Sequence, residues 1–511
     1  MFTIKSLSTQ ATHFISALKP RQHIAILVAL SFLVVLRITN VQHGWVNDDS
    51  LLYFEVARLL SEGQWQAAYH LFPWLFYPGL LALGHVASGL DIHTTAQIIN
   101  IGLFTLFSWG FASLILQAGG SIKTMWWGGL LLLSTQYIVG DILGMLLRDE
   151  GFWACLTWAL VFLLRYMQQG QKNNIYYFQI AIIIAMLFRL EGILYFILAF
   201  VLMAEHTLSL RHRLCKVAQN LSLPICASLL IGATVITGII KVEQLGRLQE
   251  IIYLVQQGFI ERLHFIQSKA EIMSSQVLGH YLENYGNFGI WSVLILITLN
   301  KTLKVAGWPV LLGIVTGRKA CKHINHHARQ LFSLHLIIGL ISSFLIIINV
   351  FVLSSRYVIA SGIVLLVIGA FCIEHLYLKA RPWGKYGLLL LFSAMLYMNL
   401  HDSGRIDLDR QAVEYIQSIN ISQQPVLYDT ENARFYAHQP FMNRIPSQNL
   451  VEELLANGKI TNYSFLMISI NNDDGDYELS VTHQLDQHFQ VIQTLYGWKH
   501  KSKVLIYKKN S

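Results

Sequence analysis

Charge is scarce in this chain of 511 residues: 13% of the positions are Asp, Glu, Lys or Arg, whereas 54% are hydrophobic. The mean hydropathy is +0.47, so apolar runs long enough to cross a bilayer are the first expectation. Cysteine is scarce too. Cys155, Cys215, Cys226, Cys321 and Cys372 fall in apolar runs or basic loops with no metal-type spacing, which excludes an external disulfide framework. Internal repeats and low-complexity tracts are absent. No small-residue cleavage site follows the first apolar run, so that run reads as an uncleaved first helix rather than a signal peptide.

What is present is a series of apolar runs: 23 to 39, 96 to 116, 125 to 147, 151 to 164, 176 to 190, 192 to 204, 219 to 240, 289 to 316, 331 to 353, 357 to 378 and 385 to 400. Most approach the roughly 20 residues a helix needs to cross about 30 Å of hydrocarbon. The fold class expected is an all-α polytopic membrane protein of about eleven spans with interfacial helices.

The formal net charge of +8 would suggest a nucleic-acid partner in a soluble protein; here the charges sort by loop instead. Basic loops carry Lys5, Lys19 and Arg21; Lys123; Arg165 and Lys172; Arg211, Arg213 and Lys216; Arg318, Lys319, Lys322 and Arg329; and Lys379, Arg381 and Lys385. They are expected to face the cytoplasm. The intervening loops hold Asp48, Asp49, Glu55 and Glu62; Asp149 and Glu150; Glu191; and several acids between 241 and 288. This alternation requires that "LFPWLFYPGLLALGHVASGL" (71 to 90) does not cross, and its two prolines, three glycines and aromatic cluster favour the outer interface. The N-terminus is then inside and the C-terminus outside.

After about residue 400 the composition turns polar. "LDRQAVEYIQSI" (408 to 419) has apolar positions at helical spacing, whereas "PVLYDT", "YSFLMISI" and "SKVLIYKK" read as strands. We therefore expect a transmembrane domain over 1–400, with outer loops at 40–95 and 241–288, and a small extracytoplasmic α/β domain over 401–511. The 241–288 segment reads as amphipathic helices on the membrane surface.

Four polar groups fall at outer ends of spans: Asp48 and Asp49, "LRDEG" (147 to 151), "FRLEG" (188 to 192) and "SSRY" (354 to 357). Ionisable residues at membrane depth are costly and mark function by default. Carboxylates beside fixed arginines suit a reaction with a phosphate leaving group. The guanidinium fork matches phosphate oxygens and stabilises developing negative charge, and a carboxylate can take a proton from an attacking hydroxyl or amine. A long lipid carrying a phosphate-linked sugar would account for so many spans.

In these residues the chain resembles the GT-C class of integral-membrane glycosyltransferases, the superfamily of protein O-mannosyltransferases, lipid A aminoarabinose transferase and transferases of lipopolysaccharide core sugars. The elements are "NDDSLLYFEVARLLSEGQW", "FPWLFYPGLLALGHVASGLD" as the Pro-Leu-Tyr-Pro interfacial segment, Glu150 leading into a span, the broken pair "IAIIIAMLFRLEGILYF", and "SSRYVIASGIVLLVIGA". The likeness covers nearly the whole chain. It departs from the family where "LFYP" lacks the first proline and where Glu191 replaces a common proline.

The resemblance implies a polyprenyl-phosphate-linked sugar donor and a glycolipid, glycan or protein acceptor, joined with inversion outside a bacterial cytoplasmic membrane. Asp48 or Asp49 would be the base, with Asp149 or Glu150 supporting. Arg356, helped by Arg148 and Arg189, would hold the donor phosphate, and Tyr77, Tyr357 and Glu191 would touch substrate. A divalent metal at the carboxylates stays open.

Plainer roles compete at each position. An aspartate ahead of a helix is often its N-cap, and a cap needs only one of the pair. Arg356 could snorkel to headgroups, Arg189 and Glu191 could pair at a helix break, and Trp45, Trp65, Trp74 and Tyr77 could be interface anchors. His323, His326 and His327 lie on the expected cytoplasmic side and read as a loop cluster rather than a metal site. The rival functions are a transporter or lipid flippase and a non-catalytic assembly factor on the same fold.

Overall fold

The computed structural model describes residues 18–42, 44–204, 209–401, 407–442, 447–471, 475–497 and 502–510. Two compact units emerge: the chain up to Val41 with Thr94–His401, and Gln42–His93 with Asp402–Ser511. The first outer loop, grouped with the transmembrane domain on sequence, thus folds with the C-terminal domain.

In the first unit every apolar run is helical. Among the described residues five helices are long and apolar enough to span a membrane: Pro20–Val41, Ile92–Gln117, Glu283–Val305, His326–Val350 and Ser355–Lys379. Two bent pairs raise this to seven: Ile122–Ser134 with Gln136–Met145, at 40°, and Leu210–Asn220 with Ser222–Ile236, at 65°. By length and composition, five to seven spans are thus supported among the described residues, where eleven were expected. Asn173–Phe188 is shorter and ends at Arg189 before the 3₁₀ stretch Leu190–Ala204.

Lipid tails are as apolar as leucine, so membrane helices associate through close packing and interhelical hydrogen bonds. Both are present. Gly129 takes the side chain of Leu27, and Gly151 takes the ring of Phe188; a Cβ at either would collide with its neighbour. The Ser134 hydroxyl donates to the Phe392 carbonyl at 2.8 Å and Ser121 donates to Glu374 Oε1 at 2.9 Å. By contrast, the apolar Ser222–Ile236 helix buries none of its residues within the protein, the expected state of a helix covered by lipid. The 241–288 segment is helical in pieces, chiefly Leu248–Tyr253 and Phe259–Ile272.

In the second unit the sheet comprises β1 (Val426–Tyr428), β2 (Phe465–Asn471), β3 (Phe489–Tyr496) and β4 (Ser502–Lys509), in the order β1-β2-β4-β3. β1 and β2 run parallel and the other pairs antiparallel. The alternation of β2 splits its side chains between two faces. Leu466, Ile468 and Ile470 join Val451, Val481 and Leu485, while Phe465 and Met467 join Ala412, Val413 and Ile416. The Leu408–Ile419 helix covers the second of these faces, as its spacing requires. The sequence reading of three strands missed β3, whose face is partly exposed and whose pattern is broken by a register shift at Val491/Gln493.

The first outer loop is a helix, Asp48–Ser61, packed on a shorter one, Phe76–Ser88, through Tyr53 and Tyr77, whose rings meet edge to face at 5.4 Å. The 71 to 90 segment thus holds a helix of 13 residues, Phe76–Ser88, rather than one long helix.

Candidate active site

In the first unit three of the four sequence-marked groups are polar ends of helices. "RDE" opens the Asp149–Gln169 helix, "RLE" follows the Asn173–Phe188 helix and "SSRY" opens Ser355–Lys379. Two entries are strained. Leu146 and Phe351 hold φ of 51° and 55°, left-handed conformations that non-glycine residues avoid and that persist where the surroundings impose them.

These ends converge on Arg189, which is 3% exposed. Its guanidinium donates to Asp149 and, at 3.1 Å, to Glu191 Oε1. It also lies 4.5 Å from the centroid of the Tyr357 ring, and the Arg356 guanidinium lies 5.4 Å from the same centroid. Two cations thus flank one aromatic ring, an arrangement that cation–π attraction favours most when desolvated. Around them Phe152, Tyr195, Ser342 and Ile346 complete the lining of a small cavity. Arg356 also sits in the first turn of a 25-residue helix, where backbone N–H groups and the macrodipole favour an anion.

The adjacent acids of "RDE" part company. Asp149 engages Arg189, whereas Glu150, fully buried, accepts from Asn100 Nδ2 at 3.1 Å, and that same amide donates to the Leu147 carbonyl at 2.7 Å. Asp149 is therefore the carboxylate of the arginine cluster. Asp149, Arg189, Glu191, Arg356 and Tyr357 come together in the first unit. The lining residues Tyr195, Phe152 and Ser342 carry no sequence signal, because only the packing of their helices aims them inward.

In the second unit Asp48 and Asp49 occupy the first turn of their helix, with Asp48 exposed and Asp49 half-buried. Asn47 is the N-cap, its side-chain oxygen accepting the Asp49 N–H at 3.0 Å. The expectation that one of the two acids caps the helix is thereby corrected: Asn47 already satisfies that donor, and both carboxylates lie where the macrodipole favours negative charge. Tyr77 is 1% exposed and packs on Tyr53.

A second carboxylate pair went unnoticed in the sequence. Asp429 follows β1 and accepts the Ser469 N–H at 2.7 Å and its hydroxyl at 3.3 Å; Asp409 accepts the Thr430 hydroxyl at 2.9 Å. Burial pushes Asp409 up to about 6 and Asp429 up to about 7; the Asp407 charge adds to the push on Asp409, and the Asp409 charge to that on Asp429. The Asp48 charge adds to the upward push on Asp409. Among the described residues no group of three or more His, Cys, Asp or Glu could hold a metal ion, and His323, His326 and His327 form no such group.

No protein-family model matches the chain and no curated protein matches its sequence. Among solved structures it is similar to the arabinofuranosyltransferase AftD from Mycobacteria, with 12% identity and a TM-score of 0.45, over 97% of this chain and 40% of that one. It is also similar to the oligosaccharyltransferase of Archaeoglobus fulgidus, with 14% identity and a TM-score of 0.44, over 82% of this chain and 58% of that one. The chain spans 40% and 58% of the lengths of these two proteins.

Proposed function

We propose that this chain is an integral-membrane glycosyltransferase that moves a sugar from a polyprenyl-phosphate-linked donor to a glycolipid, glycan or protein acceptor on the non-cytoplasmic face. The observation that carries the reading is the cavity in which Arg189 and Arg356 flank Tyr357. Arg189 is engaged by two carboxylates, which makes it the rigid floor; Arg356, at a helix N-terminus, is the arginine for the donor phosphate. As the glycosidic bond to phosphate breaks, charge grows on the departing phosphate, and a fixed guanidinium and helix N-terminus stabilise that charge without reorganising. The base that takes the acceptor proton is Asp48 or Asp49 in the first turn of the helix that Asn47 caps, since a carboxylate can take a proton from an attacking hydroxyl or amine.

The deciding experiment is transfer of labelled sugar from a polyprenyl-phosphate donor in membranes containing the full chain. Sugar should move to an acceptor with the native protein and not with Arg356→Ala. Donor that moves across the bilayer without being consumed would instead favour a flippase, and donor bound without turnover would favour an assembly factor.

A further inference from the structure

The six-residue helix Glu431–Tyr436 of the C-terminal domain touches the first outer loop at the turn that bears the two aspartates. Asn432 Nδ2 donates to the Val46 carbonyl at 3.2 Å, and Val46 immediately precedes the cap residue Asn47. One turn along, the Phe435 ring lies 6.0 Å from Phe54 and 6.4 Å from His93, and Phe54 and His93 are 5.9 Å apart, closing a three-ring cluster. The packing alone would seat the helix. A directional amide bond to the one carbonyl ahead of the cap does more, because it fixes where the helix begins. The Asp409 carboxyl reports the same proximity, since the Asp48 charge contributes to its upward displacement.

We infer that the Glu431–Tyr436 helix sets the pose of the turn bearing Asp48 and Asp49, with Asn432 as its positioning residue. The inference rests on the proposed role of that acid pair as base. A general base must come within about 2.6 to 3.2 Å of the proton it takes, and a misplacement near 1 Å can cost about 100-fold in rate. Asn432 holds backbone, not substrate; the C-terminal domain then acts as a brace for the reacting carboxylate.

The test uses the full chain in detergent micelles with Asn432→Ala, and with Asn432→Asp as the variant of equal size that lacks the N–H donor. Backbone hydrogen exchange over residues 48–52 should quicken in both, with exchange in β2 and β4 unchanged. In transfer assays kcat should fall by about 10- to 100-fold while the donor KM stays within about two-fold. Unchanged exchange at 48–52 overturns the inference, and so does quickened exchange with an unchanged kcat. Full transfer by Asp48→Asn and Asp49→Asn would remove the base and leave the exchange result to decide whether Asn432 holds the turn, so the two failures are distinguishable.

Discussion

Asn47 caps the helix that carries the acid pair, its side-chain oxygen accepting the Asp49 N–H at 3.0 Å. Stability and chemistry are therefore separable at this turn. Asn47→Ala should lower stability by about 1 kcal/mol, read as a shift in thermal unfolding. Asp48→Asn and Asp49→Asn should change stability little, while whichever residue is the base loses roughly 100- to 10,000-fold in transfer rate. Full activity in both variants and in the double variant would remove the proposed base.

Arg189 and Asp149 form a buried ion pair. Breaking such a pair leaves a buried charge uncompensated and costs roughly 3 to 5 kcal/mol, whereas replacing both partners with apolar groups is often neutral. Arg189→Met should therefore destabilise the protein strongly. Arg189→Met combined with Asp149→Leu and Glu191→Gln, which removes both carboxylates that engage the arginine, should recover most of that loss without recovering transfer. Equal melting temperatures for the single and triple variants would contradict this.

Arg356→Lys keeps the charge and loses the planar fork and its stacking on Tyr357. Lysine is a point charge at a site that uses geometry. The donor KM should rise by about ten-fold or more, corresponding to at least one charge-assisted hydrogen bond of roughly 1.5 kcal/mol, with protein yield unchanged. An unaltered donor KM would place the phosphate elsewhere.

Asp429 links the C-terminal domain to pH. Its unfolded carboxyl releases a proton near 3.8 and its folded one near 7, because burial disfavours the charge. Between those values the folded state holds a proton that the unfolded state has lost, so stability falls as pH rises from about 4 to about 7 and levels off above. The displacement corresponds to about 4 kcal/mol at most. Asp429→Asn can keep accepting the Ser469 N–H, and it should slow hydrogen exchange in β1 and β2 at pH 8 and flatten their pH dependence over this window. A steeper dependence, or faster exchange at pH 8, would contradict the assignment.

Much of the architecture is legible in the sequence because its cause is local. The apolar runs are helical wherever they are described, since a backbone in hydrocarbon must satisfy its own hydrogen bonds. The Leu408–Ile419 helix and strands β1, β2 and β4 follow from their periodicities. The span count did not follow so directly: run length says where a helix is apolar, while bends such as the one at Thr135, between Ser134 and Gln136, depend on what packs beside it. Polar residues at the span ends were equally plain, being costly in lipid unless something repays them.

What the sequence alone determined is the all-helical membrane character, the polar C-terminal α/β domain and the identities of the charged groups that merit attention. Only the tertiary structure decided which charges meet. Asp149 and Glu150 are neighbours in sequence, yet one turns to Arg189 and the other to Asn100, because consecutive residues on a helix project about 100° apart. The structure alone likewise assigned the cap to Asn47 and brought Asn432 to Val46 across 386 residues. Local pattern records a residue's cost in water or lipid; the partner that offsets that cost is chosen by the fold.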